Sequence, residues 1–479
     1  MLVNELVNML SIIRRQQAES QVCELKKAHD GCPRRLYDTL SSFSNQDTGG
    51  TIIFGIDENN NYEITGVYDA QDLQKKVTEQ CNQMEPPVRA LFTLAEIEGK
   101  TVCSAEIPSL DITQRPCYYS GAGKVRGSYI RVGDADLPMT DFEIYSFDAF
   151  RGHLHDDERT VERASLDTMN AEQIEMFLQT RKAERPGFAK MTEAQILEMT
   201  NICREDKFTL AAVLNFGVYP QGYFPQLCIT GIAVPGRKIG DINADGERFL
   251  DNKRIEGTIP EMIDAAMGFC LRNMKTRVKI DSETGRRTDR TEYPADAIRE
   301  AVLNALIHRD YSIFTEGTPV QINFFEDRLE IHSPGGLYGR MSVEQLGFAR
   351  PDLRNPALAT MTEEITSAEN RYSGIPTMRR AMKEAGLPEP VFENRRNEFV
   401  VTFYNSSKDR PNNTECEDFS LLEFCETPRT KHEIADFLGI KTTFYVMSHY
   451  VKPLLESGQM KMTMPDKPQS SKQKYYTVK

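Results

Sequence analysis

The sequence predicts a multidomain α/β (α+β) protein, and three features carry that expectation. At 479 residues the chain exceeds what a single hydrophobic core serves, so about three domains are expected. Short β-rich runs bounded by Gly, Pro and Asn alternate with helix-period segments through most of its length. A polar linker, Pro411-Asn412-Asn413-Thr414, then separates a final segment of different charge. The expected units are 1–150, a connecting α/β region at 151–290, a third unit at 291–405 and a small unit at 411–479.

Bulk composition narrows the class. The net charge of -13 means that any nucleic-acid contact must come from local basic patches rather than overall attraction. Ten cysteines occur without a C-x-x-C pair and without clustering among the seven histidines, which argues against a zinc site or a disulfide framework. In the opening M-L-V-N-E-L-V-N-M-L-S-I-I-R-R the Arg pair follows the apolar stretch instead of preceding it, unlike a signal peptide. No apolar run reaches membrane-span length, so a soluble cytoplasmic protein is expected.

In residues 1–150 a short strand over 19–27 puts Glu24 and Lys26 on one face. A helix over 34–43 and the turn cluster N-Q-D-T-G-G lead to a buried strand, T-I-I-F-G-I, with Asp57 and Glu58 at its end. A helix over 71–84 and strands at 91–97, 100–107 and 128–132 complete a mixed sheet. The strings E-(x)4-E-L-K, S-F-S-N-Q-D-T-G-G-T-I-I-F-G-I-D-E and S-Y-I-R-V-G-D resemble the Schlafen-type AlbA-like domain over about 19–150. That resemblance implies a DNA-binding module. In its RNase-active members, acids matching Glu19, Glu24 and Asp57 form a metal-dependent catalytic site, with Glu24 and Asp57 as ligands of Mg²⁺ or Mn²⁺. Lys26 and Arg131 become candidate phosphate contacts, although a strand arginine can equally pair with a carboxylate. The competing reading is an ordinary Glu24–Lys26 ion pair with Asp57 capping a turn.

Residues 151–290 open with H-L-H-D-D-E-R, where two histidines lack a third ligand nearby and a solvated bend is expected. Helices are expected over 171–181 and 192–202, buried strands over 210–217 and 226–233, a helix over 255–274 and a charged hairpin or loop over 281–291.

The most diagnostic stretch runs from Tyr293 to Tyr311, Y-P-A-D-A-I-R-E-A-V-L-N-A-L-I-H-R-D-Y, and is expected to form one helix. Glu300, Asn304 and His308, each four apart, fall within about 80° of one another on its surface. Nearly every other position is apolar, so the helix belongs in a core and its polar stripe faces either a paired network or a cavity. Beyond it, P-V-Q-I-N-F-F and R-L-E-I-H alternate as a hairpin, followed by Pro334-Gly335-Gly336, then strands through 392 and over 399–403.

E-x-x-x-N on a buried helix resembles the N-box of the GHKL ATPases, and R-E-A-V-L-N-A-L-I-H-R-D-Y resembles the RecG-C-terminal-like ("divergent AAA") domain. The resemblance implies a GHKL-like α/β sandwich that binds ATP with Mg²⁺. Glu300 would position water, Asn304 would ligate the metal, and His308, Gly335, Gly336, Arg371 and Gly374 would border the cofactor. Arg354-Asn355-Pro356 is a further landmark. Two departures bear on activity: Pro-Gly-Gly stands where many GHKL proteins read adenine with an aspartate, and Tyr372 replaces the first glycine of the phosphate loop. His308-Arg309-Asp310 also resembles a kinase catalytic loop, but Thr315 stands at the required Asn and no D-F-G follows, which excludes it.

Three helices and a two-stranded ribbon are expected over 419–478, making a winged helix. From Lys441 onward seven lysines face two acids, the footprint of DNA contact, with Lys441, Thr442, Thr443 and Tyr445 as candidates. The whole order resembles bacterial transcriptional regulators with a Schlafen-type domain. The expected function is a nucleic-acid-binding regulator, DNA favoured over RNA, with a central ATP-binding or degenerate domain; the alternatives are a metal-dependent nuclease in phage defence or an ATPase. Homo-oligomerisation is left open. A P-loop is absent, so no helicase motor is expected.

Overall fold

A computed structural model describes residues 1–280, 287–366, 374–406, 421–422, 424–437, 446–456, 459–464 and 473–477. The architecture is mixed α/β throughout, as expected.

The first unit is built on a four-stranded sheet in the order Cys23–Lys26, Gly50–Phe54, Lys100–Ile107, Leu91–Ile97, with the first pair parallel and the others antiparallel. Its buried strand serves two cores because successive strand side chains point to opposite faces. Ile52 and Phe54 join Leu40 and Phe43 of the helix Tyr37–Asn45 and Leu73 and Val77 of the helix Ala70–Cys81. Ile53 joins Leu6, Leu10 and Ile13 of the opening helix Val3–Gln16 on the other side. The alternation in T-I-I-F is therefore what makes this sheet the middle layer of three.

The central unit is an α/β sandwich. Its six strands run in the order Asp251–Ile255, Ile229–Ala233, Val320–Phe324, Arg328–Pro334, Glu398–Tyr404, Val391–Arg395, with only Ile229–Ala233 and Val320–Phe324 parallel. The helices Ile259–Asn273, Ala295–Ile307 and Pro356–Thr366 share one continuous core with it. That core extends from Val161 to Phe403, and strands on both sides of residue 290 pair directly. The expected boundary at 290 thus falls inside one sheet and one core.

Two element assignments differ from expectation. Leu210–Phe216 is a helix, not a strand, and all seven of its side chains are buried. A wholly apolar run carries no period, and the deciding local signal is the Thr209 hydroxyl, which accepts from the Ala212 amide as an N-cap. The helix expected from Ile255 starts only at Ile259, after the Thr258–Glu261 capping box, and Ile255 ends the strand Asp251–Ile255 instead. The charged stretch after Met274 forms an antiparallel pair, Thr276–Ile280 with Arg287–Thr291.

The helix Asp141–Gly152 carries the chain from the first unit to the second and is fixed at several points. Arg396 donates through Nε and Nη2 to the Glu143 carboxylate at 2.7 and 2.9 Å, and Phe150 meets the Tyr338 ring edge-on at 5.4 Å. His153 caps this helix in the left-handed region, while His155 Nδ1 bonds the Arg354 carbonyl at 3.0 Å. The two histidines therefore do structural work separately.

At the C-terminal end, the helix Lys431–Phe437 opens with a Thr430–Glu433 capping pair. A π-turn at Met447–Val451 runs into the helix Lys452–Glu456, and Met460–Met462 pairs antiparallel with Tyr475–Thr477. Leu421, Ile434, Val451, Leu454 and Tyr475 form a separate small core. Lys441, Thr442, Thr443 and Tyr445 lie outside the described residues. No helix among the described residues is long and apolar enough to cross a membrane.

Candidate functional site

The central helix Ala295–Ile307 begins at Pro294, whose missing N–H costs nothing there, and Asp296 lies in its first turn. Ala297, Ile298, Ala301, Val302, Leu303, Ala305, Leu306 and Ile307 are all buried, and Arg299 reaches outward to Asp264 at 3.2 Å. Glu300 and Asn304 form the polar stripe, with Asn304 Nδ2 donating to Glu300 Oε1 at 3.2 Å. The helix is shorter than expected: His308 is its C-cap. Asn355 explains the stop, since its Nδ2 donates to the carbonyls of Ile307 and Arg309 at 2.8 and 2.7 Å.

The stripe opens onto a cavity of about 330 Å³. Glu300, Asn304, His308, Gly335, Gly336 and Gly374 all line it, so the structure brings these six expected residues together. Apolar lining comes from Ala301, Ala305, Ile331, Met378, Phe399 and Val401. Burial pushes the Glu300 carboxyl above its ordinary range, and the Asn304 hydrogen bond pulls it partly back. Burial, with a smaller contribution from the Arg354 charge, holds the His308 imidazole down to about 4, so it is neutral at neutral pH.

Gly374 begins the helix Gly374–Glu384, and a Cβ there would run into the Glu300 carboxylate and reach within 2.8 Å of the Asn304 amide. Only glycine lets this helix start come so close to the stripe. Arg371 and Tyr372 lie outside the described residues. At Gly335, φ is +88°, and a Cβ would strike the guanidinium of Arg354 and the side chain of Asp310.

Arg354 is a cavity residue to which sequence reasoning assigned no role. It is buried, its Nη2 donates to the Gly336 carbonyl at 2.9 Å, and its guanidinium carbon lies 5.2 Å from the Tyr338 ring centroid. The landmark R-N-P marked the position, but nothing local announced that its side chain reaches the stripe. Arg309 and Asp310, the other residues of H-R-D, hold a turn: Arg309 Nη2 donates to the Thr315 carbonyl at 2.8 Å, and Asp310 accepts from the Ser312 amide and the Thr315 hydroxyl. That role agrees with rejecting a kinase loop.

The acidic constellation of the first unit assembles differently from expectation. Arg131, with a side chain only 1% exposed, donates from Nη2 to Glu24 at 2.8 Å and from Nη1 to Asp136 at 3.0 Å, and lies 3.8 Å from Glu19. It is consumed by carboxylates and is not presented to phosphate. Lys26 is likewise paired with Glu24, and Asp57 pairs with Lys27 at 3.0 Å. Among the described residues no group of three or more His, Cys, Asp or Glu is placed to hold a metal ion. A metal ion at Glu24 or Asp57 would have to displace the Arg131, Lys26 and Lys27 cations that pair with these acids. Glu19, which accepts from the Leu25 amide at 2.6 Å, is pushed up to about 7 by burial and the nearby Glu24.

Residues 19–140 match the family model for the Schlafen AlbA_2 domain. Residues 317–403 match the model described as "Putative ATP-dependent DNA helicase recG C-terminal". The chain thus joins a Schlafen AlbA_2 module to a RecG-C-terminal-like HATPase module. The second match begins beyond the central helix and includes Gly335, Gly336, Arg354 and Gly374. Residues 419–477 match the C-terminal domain of Fic-like proteins, named for filamentation induced by cAMP. No curated protein matches the chain. Among solved structures, the DIP2311 protein from Corynebacterium diphtheriae is 18% identical, with 95% of this chain and 93% of that chain covered at a TM-score of 0.41. The N-terminal domain of a putative ATP-dependent DNA helicase RecG-related protein from Nitrosomonas europaea is 25% identical, with 28% of this chain and 92% of that chain covered at a TM-score of 0.23.

Proposed function

We propose that the central cavity binds a nucleoside triphosphate, ATP by the type of its family model, together with Mg²⁺ or Mn²⁺, and that the chain is a nucleic-acid-binding regulator responding to that occupant. The observation that carries the reading is the meeting of Glu300, Asn304 and the N-terminus of the helix Gly374–Glu384 at one cavity. Asn304 spends its amide N–H on Glu300, leaving an amide oxygen and a carboxylate oxygen, the hard donors such a cation takes beside phosphates. The start of the helix Gly374–Glu384, with the Gly374 and Ile375 amides and the helix dipole directed at the cavity, would suit the phosphates themselves. A bound cation would supply charge neutralisation at those phosphates. Glu300, with its raised carboxyl, is placed to orient a water and accept its proton.

The nucleic-acid part rests on the C-terminal unit, which we read as a winged helix. Lys461 and Lys474 are exposed beside its two-stranded ribbon, in a segment where lysines outnumber acids. Occupancy of the cavity would couple to that unit by shifting a conformational equilibrium.

Calorimetry of the full chain with Mg²⁺ and ATP, comparing wild type with Asn304→Ala, tests the pocket. Binding that is lost in the variant supports the reading; unaltered binding by the variant, or none by either protein, overturns it. A salt titration of duplex DNA binding tests the second part, and absence of binding at low salt refutes it.

A further inference from the structure

The six-stranded sheet ends on one side at Asp251–Ile255, and among the described residues no strand pairs with its outer edge. About half of that strand's N–H and C=O groups therefore point away from Ile229–Ala233 with no ladder partner. Exposed apolar side chains border the same edge. Phe249 and Leu250, immediately ahead of the strand, are 42% and 59% exposed. Leu271 of the flanking helix Ile259–Asn273 is 49% exposed, and its neighbour Arg272 reaches Asp251 at 2.6 Å. Edges kept from pairing are bordered by charge. This one is also bordered by apolar surface, which pairing would cover.

Register fixes which side chains share a face. Asp251, Lys253 and Ile255 lie opposite Ala233, Gly231 and Ile229 and face the helix Ile259–Asn273, since Ile255 joins its core and Asp251 takes its Arg272. Asn252, Arg254 and Glu256 alternate onto the other face, where Arg254 Nε lies 2.6 Å from Glu256. Two copies meeting edge to edge about a two-fold axis pair antiparallel, and matching faces restrict them to registers centred on one residue. Centred on Lys253 or Arg254, like cations oppose each other. Centred on Asp251, two aspartates meet, and Arg248 faces Arg254 of the second copy. Centred on Asn252, the charges are complementary: Asp251 faces Lys253 of the second copy and Arg248 faces Glu256. In that register Phe249 falls opposite Ile255 and Leu250 opposite the Arg254 stem, and every contact occurs twice.

We propose that the Asp251–Ile255 edge is a self-association surface whose partner is a second copy of this chain, paired antiparallel about Asn252 so that the two six-stranded sheets become one. Phe249 and Leu271 close the seam on the helix face, and Leu250 closes it on the other. Asp251 can take the incoming lysine beside its present partners, because Arg272 and Asn273 bond its Oδ2 and a carboxylate offers about four acceptor sites.

Sedimentation equilibrium of the full chain at low salt tests this, where screening of the ion pairs is weakest. Wild type should sediment at twice the monomer mass; a monomer at every concentration overturns the proposal. Asn252→Lys and Asn252→Asp each place like charges on the axis and should raise the dissociation constant about tenfold. An equimolar mixture of the two variants should associate again, because lysine then faces aspartate, and a variant that failed to fold could not be rescued in this way. Wild-type association by each variant alone, or no recovery on mixing, overturns the assignment. Oxidation supplies a readout of register. Asn252→Cys brings two Cα atoms to about 5 Å, within disulfide reach, whereas the two copies of Lys253→Cys stand more than about 7 Å apart. Cross-linking of the first variant alone supports pairing about Asn252; equal cross-linking of both, or of neither, overturns it.

Discussion

The Asp157 carboxylate accepts a hydrogen bond from the Leu358 amide at 2.8 Å, joining residues 201 positions apart. It thereby caps the helix Pro356–Thr366, which follows directly after Arg354 and Asn355. The chain leaving the first unit and the wall of the cavity are thus tied at a single buried point, reinforced by the His155 bond to the Arg354 carbonyl.

That point should titrate. Burial pushes Asp157 up to about 7, outweighing the Leu358 bond, which pulls it down, and its Oδ1 has no partner. A carboxyl raised in the folded state favours the protonated form there, so its stabilising contribution is complete below the unfolded value near 3.8 and is lost as pH rises through about 7. Asp157→Asn keeps an acceptor for Leu358 but cannot ionise. Melting temperatures from pH 4 to 8 should fall with pH more steeply in wild type than in the variant; parallel curves would contradict this.

Gly374→Ala should damage the pocket while sparing the fold. The added methyl meets the Glu300 carboxylate, and moving that carboxylate out of its ligand-facing position should cost binding about 1.4 kcal/mol, or roughly tenfold in affinity. Nucleotide affinity should drop by about that factor with a near-wild-type melting temperature. Unchanged affinity would show that the helix start does not face the ligand.

Arg131 should behave as a structural cation. Arg131→Met leaves Glu24 and Asp136 buried without their partner and should cost about 3–5 kcal/mol in denaturant unfolding. Loss of nucleic-acid affinity at unchanged stability would instead return Arg131 to a phosphate-binding role.

The Glu143–Arg396 pair holds the connecting helix to the edge of the six-stranded sheet. Its arginine is about one-third exposed, so solvent screening limits Arg396→Ala to about 1 kcal/mol. Burial opposes ionisation of Glu143, but its hydrogen bonds to Arg396 and Thr140 win and hold it below its ordinary value. This contribution is therefore present above the unfolded carboxylate range and disappears as pH falls through the lower folded value. Comparing chemical denaturation of wild type and variant at pH 7 and pH 3 should show the difference shrinking in acid.

The central helix was legible because its information is local. Glu300 and Asn304 at a four-residue spacing, amid positions that are nearly all apolar, dictate a buried helix with one polar stripe wherever it sits. The same holds for the alternation around Ile52, Ile53 and Phe54, which made a doubly covered strand. Leu210–Phe216 escaped that reasoning because a run buried on every side has no period to read.

By itself, the sequence determined the succession of elements, the first unit's strand face carrying Glu24 and Lys26, and the polar stripe of the central helix, since each follows from backbone geometry over a few residues. Tertiary structure alone decided which charges meet. It gave Arg131 to Glu24 across 107 positions, brought Gly374 against Glu300, and set Arg354 beside Gly335 and Gly336 in the cavity wall. The physical reason is that an ion pair or a close backbone approach depends on the distance between elements, which no local spacing encodes, and burial then makes each such meeting too costly to leave unpaired.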